Sequence, residues 1–268
     1  MPSIIKFGTD GWRGVIGEDF TFDNVRACAQ GVANYLQDRG IAKQGLLIGY
    51  DTRFASEDFA AAVAEVIAAN GIKAYLNPKA APTPVISYAI VAKKAAGAVI
   101  ITASHNPAIW NGFKYKPEYA GSASPEVTAE LEKRIHQIVS SGKIKRLPLS
   151  DRLKQGLIEY HDPAPVYLSH IAKFVDLEHI RKAGLKIAVD SMYGSGAGYF
   201  RRLLTGGSTK IIELNYKRNP LFPGIQPEPI ASHLTKLSRK IPTSGADVGL
   251  ATDGDSDRIG VLDENGVF

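Results

Sequence analysis

Three aspartates occur at every second position in the run Thr252-Asp253-Gly254-Asp255-Ser256-Asp257-Arg258. Residues 248–251 just before them read as a strand, so the acids fall in the loop that leaves it. In an irregular loop this spacing lets three carboxylate oxygens converge on one hard cation. Without a cation, three charges so close repel one another. Gly254 permits a tight turn there. The plain alternative is a solvated acidic turn. An EF-hand would use Asp253, Asp255 and Asp257 as its first three ligands and Glu264 as its twelfth. Its sixth position, normally glycine, is Arg258, and strands rather than helices flank the loop, so that reading is rejected. Arg258 suits a phosphate clamp beside a metal.

A second cluster, Thr102-Ala103-Ser104-His105-Asn106-Pro107, ends a buried-type strand at 98–101. Ser104 could serve as nucleophile or phosphate carrier. The alternative is an ordinary turn at Asn106-Pro107. No G-x-S-x-G elbow surrounds the serine, so a hydrolase signature is missing. Lys114, in Gly112-Phe113-Lys114, is close enough in sequence to exchange a proton with a substrate hydroxyl, or is simply a surface lysine. A third cluster, Phe7-Gly8-Thr9-Asp10-Gly11-Trp12-Arg13-Gly14, offers backbone that can approach an anion closely, with Arg13 as a fixed positive charge. Its alternative is a glycine-rich hairpin. Asp51-Thr52-Arg53 follows another strand and reads as a loop brace or structural ion pair. Gly194-Ser195-Gly196-Ala197-Gly198 misses the G-x-G-x-x-G spacing and reads as close packing where a helix meets a sheet. The six histidines lack metal-ligand spacing.

The elements that must carry these clusters alternate. Helices are expected at 22–39 after Thr21, at 56–70 capped by Ser56, from Thr83-Pro84, and from Ser124-Pro125 to Gly142. Strands are expected at 46–50, 72–76, 98–102, 185–189, 210–214, 247–251 and 259–262. This alternation predicts an α/β fold of two consecutive, mixed but mostly parallel α/β sandwich domains. Parallel strands put binding loops at their carboxyl ends, where the polar clusters fall. Residues 143–155 are basic and turn-rich, and the prolines of Tyr160-His161-Asp162-Pro163-Ala164-Pro165 are expected to interrupt any regular element. The domains are therefore drawn at 1–155 and 156–268.

Composition narrows the function classes. The 268 residues are 44% hydrophobic and 22% charged, which is a globular balance. No apolar run is long enough to span a bilayer, and the N-terminus lacks a signal-peptide core. A net charge of +5 favours small anionic ligands, but the basic residues are scattered, so nucleic acid is not an expected partner. The single cysteine, Cys28, permits no internal disulfide or zinc cluster and fits a reducing, cytoplasmic setting.

In order, spacing and wording, Gly8-Thr9-Asp10-Gly11-Trp12-Arg13-Gly14, then Thr102-Ala103-Ser104-His105-Asn106-Pro107, then Asp253-Gly254-Asp255-Ser256-Asp257-Arg258 resemble the α-D-phosphohexomutase family. That family includes phosphoglucomutase, phosphomannomutase and phosphoglucosamine mutase. The resemblance implies four α/β domains around a cleft, of which this chain matches the first two. Domain I would carry the phosphoserine loop and domain II the metal loop, with domains III and IV absent. It further implies that Ser104 carries the phosphate and that Mg²⁺ is held by Asp253, Asp255 and Asp257 together with that phosphate. Arg13, His105, Lys114 and Arg258 would line the same site. The reaction would interconvert hexose 1-phosphate and 6-phosphate through a hexose 1,6-bisphosphate. The family's sugar-recognition and main phosphate loops lie in the third and fourth domains, so the chain alone is expected to be inactive. Glucose is the first expectation for the sugar, then mannose, then glucosamine, with Trp12 pointing to the glucose/mannose branch. A metal-dependent phosphatase and a non-catalytic sugar-phosphate binder are the rival functions.

Overall fold

The computed structural model describes residues 5–8 and 11–268, with the side chain of Arg152 left aside. Thr9 and Asp10 of the glycine-rich N-terminal motif therefore lie outside the described residues. The chain forms two compact units. The first comprises most of the chain up to Pro163. The second runs from Ala164 to Phe268 and also takes in two short stretches, Thr52–Phe54 and Ser104–Ala108.

The first unit contains β1 (Trp12–Val15), α1 (Phe22–Asp38), β2 (Leu46–Tyr50), α2 (Ser56–Ala69), β3 (Ala74–Leu76), α3 (Thr83–Lys93), β4 (Gly97–Ile101), β5 (Trp110–Pro117), α4 (Pro125–Ser141), α5 (Leu149–Lys154) and β6 (Ile158–Tyr160). Its sheet has the order β1-β5-β4-β2-β3-β6. The pairings among β4, β2, β3 and β6 are parallel, and β5 runs antiparallel to both β4 and β1. The central strands β2 (LLIGY) and β4 (GAVII) are buried along their whole length. Helices therefore must cover both sheet faces. Leu46, Ile48, Val99 and Ile101 join one apolar cluster with Val32 and Leu36 of α1, Val63 and Ile67 of α2, and Leu131 and Ile135 of α4. Gly49, of opposite parity, faces Ile86 of α3 on the other side. Each fully buried aliphatic side chain contributes about 1.5–3 kcal/mol, so this three-layer core carries the unit's stability.

Helix starts follow local chemistry. Thr21 Oγ1 accepts from Asn24 N at 3.3 Å, and Ser124 Oγ from Val127 N at 3.4 Å, which satisfies amides otherwise left over at the first turns of α1 and α4. Ser56 departs from expectation. It is the first residue inside α2, and Ala55, at φ +54°, occupies the cap position without a side-chain bond. The Ser56 hydroxyl is drawn instead to the buried carboxylate of Asp51, at 3.0 Å. The basic 143–155 stretch also holds a short helix, α5.

The second unit contains α6 (Ala164–Ile171), α7 (Leu177–Lys182), β7 (Lys186–Asp190), α8 (Tyr199–Leu204), β8 (Lys210–Leu214), α9 (Thr235–Ser244), β9 (Val248–Thr252) and β10 (Ile259–Leu262). Pro163 and Pro165, expected to interrupt any element, flank the start of α6. A proline in the first turn costs a helix nothing, because the amide it removes has no intrahelical partner. The sheet order is β10-β9-β7-β8, with β7 parallel to β8 and β9, and β10 antiparallel to β9. Ala188, Ala251 and Leu214 pack with Leu237 and Ile241 of α9. Ile187 and Val189, one residue out of phase, pack with Leu177 and Leu204 from α7 and α8. Because β7, β8 and β9 run parallel, the loops at 191–198, 215–230 and 253–258 leave from the same edge. The expected mixed, mostly parallel α/β architecture is observed in both units. Among the described residues no helix is long and apolar enough to cross a membrane.

Candidate functional site

The acid loop begins where β9 ends, and Asp253 organises it. Its Oδ1 accepts the backbone amides of Asp257 at 3.0 Å and Arg258 at 3.2 Å, while Ser256 N donates to its carbonyl at 3.1 Å. A short carboxylate bonding backbone a few residues ahead curls the chain over itself. The curl brings one oxygen each of Asp253, Asp255 and Asp257 within 4.8 Å of one another. Asp253 and Asp255 are fully buried, and Asp257 opens to solvent. Burial first, and then the charges of Asp255 and Asp257, push the Asp253 carboxyl from 3.8 up to about 8. Three oxygens at this spacing, under mutual repulsion, fit a hard divalent cation, which would relieve the repulsion.

The Ser104 loop belongs to the same unit. Ser104 is buried and held at φ +54°, a left-handed conformation uncommon for residues other than glycine. Its hydroxyl donates to Asp253 Oδ2 at 2.9 Å, and His105 Nδ1 lies 3.4 Å from the same hydroxyl oxygen. His105 Nε2 is 4.0 Å from Glu228 Oε1, and Gln226 Nε2 donates to the His105 carbonyl at 3.1 Å. Arg258, half exposed, sits 4.0 Å from Asp257 Oδ1.

Two glycines make this closeness possible. A Cβ on Gly254 would stand 2.4 Å from the Ser104 carbonyl oxygen. One on Gly194 would stand 2.8 Å from the carbonyl oxygens of both Asp253 and Gly254. The glycine-rich turn at 194–198 thus backs the acid loop, and Ser195 N donates to Gly254 O at 3.0 Å. Gly254→Ala is expected to push the Ser104 loop off the acids, because the obstacle is backbone and cannot swing aside. The overpacking should cost about 1–3 kcal/mol of stability. Denaturant unfolding checks this; an unchanged midpoint would show that the two loops are not in contact.

Arg13 and Lys114 lie in the first unit on paired antiparallel strands, with Arg13 opposite Gly112 and Lys114 opposite Ile100. Lys114 is buried, and Arg13 Nε is enclosed without a hydrogen-bond partner among the described residues. The start of β5 shares a buried network with the residues that follow β2 and β4. Asp51 accepts from Thr102 Oγ1 at 2.6 Å and from Ser56, Ser56 accepts from Asn111 Nδ2 at 2.9 Å, and Asn111 Oδ1 accepts from Gly112 N at 2.8 Å. Arg53 braces the Ser104 loop, as the sequence suggested for the Asp51-Thr52-Arg53 run. The contribution of the 215–229 segment, through Gln226 and Glu228, was missed. No metal-ligand spacing in that segment marks it in the sequence. Trp12 does not face a ligand: it is buried and stacks on Phe20 at 5.0 Å, so it cannot select a sugar.

Both α/β units have counterparts among known proteins. Residues 5–141 match the phosphoglucomutase/phosphomannomutase alpha/beta/alpha domain I, and residues 165–266 match domain II. A probable phosphoglucosamine mutase of Thermococcus gammatolerans is 33% identical over 267 residues, covering 98% of this chain and 54% of its own length. A phosphoglucomutase of Komagataeibacter xylinus is 28% identical over 276 residues, covering 96% of this chain and 50% of its own. A solved chain from Thermus thermophilus, provisionally named a phosphomannomutase, superposes with a TM-score of 0.89 at 32% identity, over 100% of this chain and 59% of that one. The chain spans about half the length of the curated relatives it matches. With both of its α/β units matched by the family's first two domains, the chain belongs to the phosphoglucomutase/phosphomannomutase family.

Proposed function

We propose that this chain is the phosphoserine-bearing and metal-binding half of a hexose phosphate mutase that works through phospho-Ser104. The observation that carries the reading is the Ser104 hydroxyl 2.9 Å from Asp253 Oδ2, beside two further carboxylates. Asp253, Asp255 and Asp257 would hold Mg²⁺, which when bound neutralises charge on phosphate oxygens. When Ser104 takes a phosphoryl group, the bond from phosphorus to the sugar oxygen breaks and a bond to Oγ forms. The Oγ proton leaves for the sugar oxygen, and His105, whose Nδ1 lies 3.4 Å from Oγ, would hold it in passage. In the opposite direction a sugar hydroxyl takes the group from Ser104, and the pair of transfers passes through a hexose 1,6-bisphosphate. Arg13 and Arg258 would stabilise phosphate oxygens, and Lys114 would manage the hydroxyl proton.

The substrate we propose is an α-hexose phosphate. With Trp12 in the core, nothing in this chain ranks glucose above mannose or glucosamine, and relatives bear the names of glucosamine and glucose enzymes. Sugar recognition is assigned to domains III and IV, outside these 268 residues, and the setting to the cytoplasm. The full-length protein, assayed with Mg²⁺ and the 1-phosphates of the three sugars, is expected to yield 6-phosphates and little free phosphate. Release of inorganic phosphate without isomerisation would instead identify a phosphatase. The 268-residue chain alone is expected to show no measurable isomerisation, since phosphoryl transfer needs water excluded from phospho-Ser104. Turnover by the purified chain would overturn that expectation.

A further inference from the structure

Three backbone carbonyls of the Ser104 loop turn inward onto a single side chain. Arg53 Nη2 donates to the carbonyls of Ser104 at 2.7 Å and Asn106 at 2.5 Å, and Nη1 donates to that of Pro107 at 2.8 Å. The guanidinium is completely buried. Phe222 lies over it, with the ring centroid 5.1 Å from Cζ. Phe222 itself adopts φ +45°, an outlier for a bulky side chain that persists only where surrounding contacts enforce it. The backbone beneath is fixed as well. Arg218 donates from Nε to Thr52 O and from Nη2 to Arg53 O, both at 3.1 Å, and Thr52 Oγ1 donates to Tyr193 O at 2.8 Å. All of these groups belong to the second unit.

A buried cation persists when its donors meet acceptors, and the rigid planar fork of arginine holds three carbonyls in one fixed arrangement, which the rotating donors of a single lysine nitrogen do not. Drawing these carbonyls inward also fixes what faces outward. Across the trans peptide joining them, the His105 N–H runs antiparallel to the Ser104 carbonyl and so points away from the guanidinium. Ser104 is thereby kept in its left-handed conformation with Oγ on Asp253.

We propose that Arg53 is a positioning residue for phosphoryl transfer at Ser104: its guanidinium sets the one loop conformation in which the hydroxyl meets the acid cluster, and Arg218 and Phe222 hold Arg53 in place. This rests on Ser104 being the phosphate carrier. Arg53 touches no substrate. Its effect falls on the rate of transfer and not on sugar binding.

The test compares Arg53→Lys, Arg218→Met and Ser104→Ala in the full-length protein, with activities normalised to the folded fraction. Arg53→Lys is expected to lower kcat by roughly 100-fold, the order of loss for a slight misplacement of a reacting group, with KM within about threefold of wild type. Phosphorylation of Ser104 by glucose 1,6-bisphosphate, followed by intact mass, should slow by the same factor. A merely structural role would reduce the folded fraction and leave kcat per folded molecule unchanged. That result for Arg53→Lys, with Ser104→Ala inactive, overturns the role of Arg53 and leaves the Ser104 reading standing. An active Ser104→Ala overturns both. If Arg53→Lys does not fold, Arg218→Met decides: a lowered kcat at constant KM supports the proposal, and an unchanged kcat overturns it.

Discussion

Replacing Ser104 with alanine is expected to remove mutase activity from the full-length protein and to abolish phosphate incorporation, while leaving the fold intact. The substitution deletes one oxygen. That oxygen donates to Asp253 Oδ2 and lies beside His105 Nδ1, but the loop around it is held by main-chain carbonyls on Arg53, which alanine keeps. The stability cost is therefore that of one lost hydrogen bond to a buried carboxylate, about 1–3 kcal/mol. The activity cost is that of a missing nucleophile, roughly 10⁴-fold or more in kcat. Intact mass before and after incubation with hexose 1,6-bisphosphate reads phosphate incorporation, and coupled isomerisation assays read turnover. A variant that still gains a phosphate, or turns over at the wild-type rate, would place the carrier elsewhere.

Asp253→Asn should separate stability from function. In the metal-free protein the Asp253 carboxyl is pushed up from 3.8 to about 8, by burial and then by Asp255 and Asp257. A carboxyl whose folded pKa lies above its unfolded one binds its proton more tightly in the folded state. Its contribution to stability is complete below about pH 4 and is lost as pH rises through about 8. Asparagine has no proton to lose. In EDTA, thermal stability of the wild type should fall from about pH 5 to about pH 9 by a few kcal/mol more than that of the variant. Mg²⁺ should reverse the ranking. A cation on three carboxylates stabilises the wild type by RT ln(1 + [Mg²⁺]/Kd), about 2.7 kcal/mol at a hundredfold excess over Kd, and the variant has lost one of the three ligands. Equal melting temperatures of the two proteins at every pH and Mg²⁺ concentration would rule out Asp253 as a buried metal ligand.

Much of the architecture could be read directly from the residues. The apolar runs at 46–50 and 98–101 read as strands by their length and form strands buried throughout, and Thr21 and Ser124 marked helix starts through bonds that need only their near neighbours. The strands that escaped, β1, β5 and β6, were those whose pairing is remote or brief. β5 is buried at almost every position, so it lacks the alternation that marks a half-exposed strand. β6 pairs over three residues only. Ser56 looked like a cap because local sequence cannot show that a buried carboxylate five residues earlier will claim its hydroxyl.

The amino-acid sequence by itself determined which groups are available for chemistry, and in what order: a serine at one strand tip, three alternating acids at another, and glycines where backbone must pass close to backbone. Those properties depend on residue type and short spacing. Only the tertiary structure decided that Ser104 and Asp253, 149 residues apart, share a hydrogen bond, that Arg53 is a buried brace, and that Trp12 belongs to the core. Parallel strands joined by helical crossovers bring distant loops to one edge of a sheet, and that convergence comes from sheet order and packing, which no local spacing encodes.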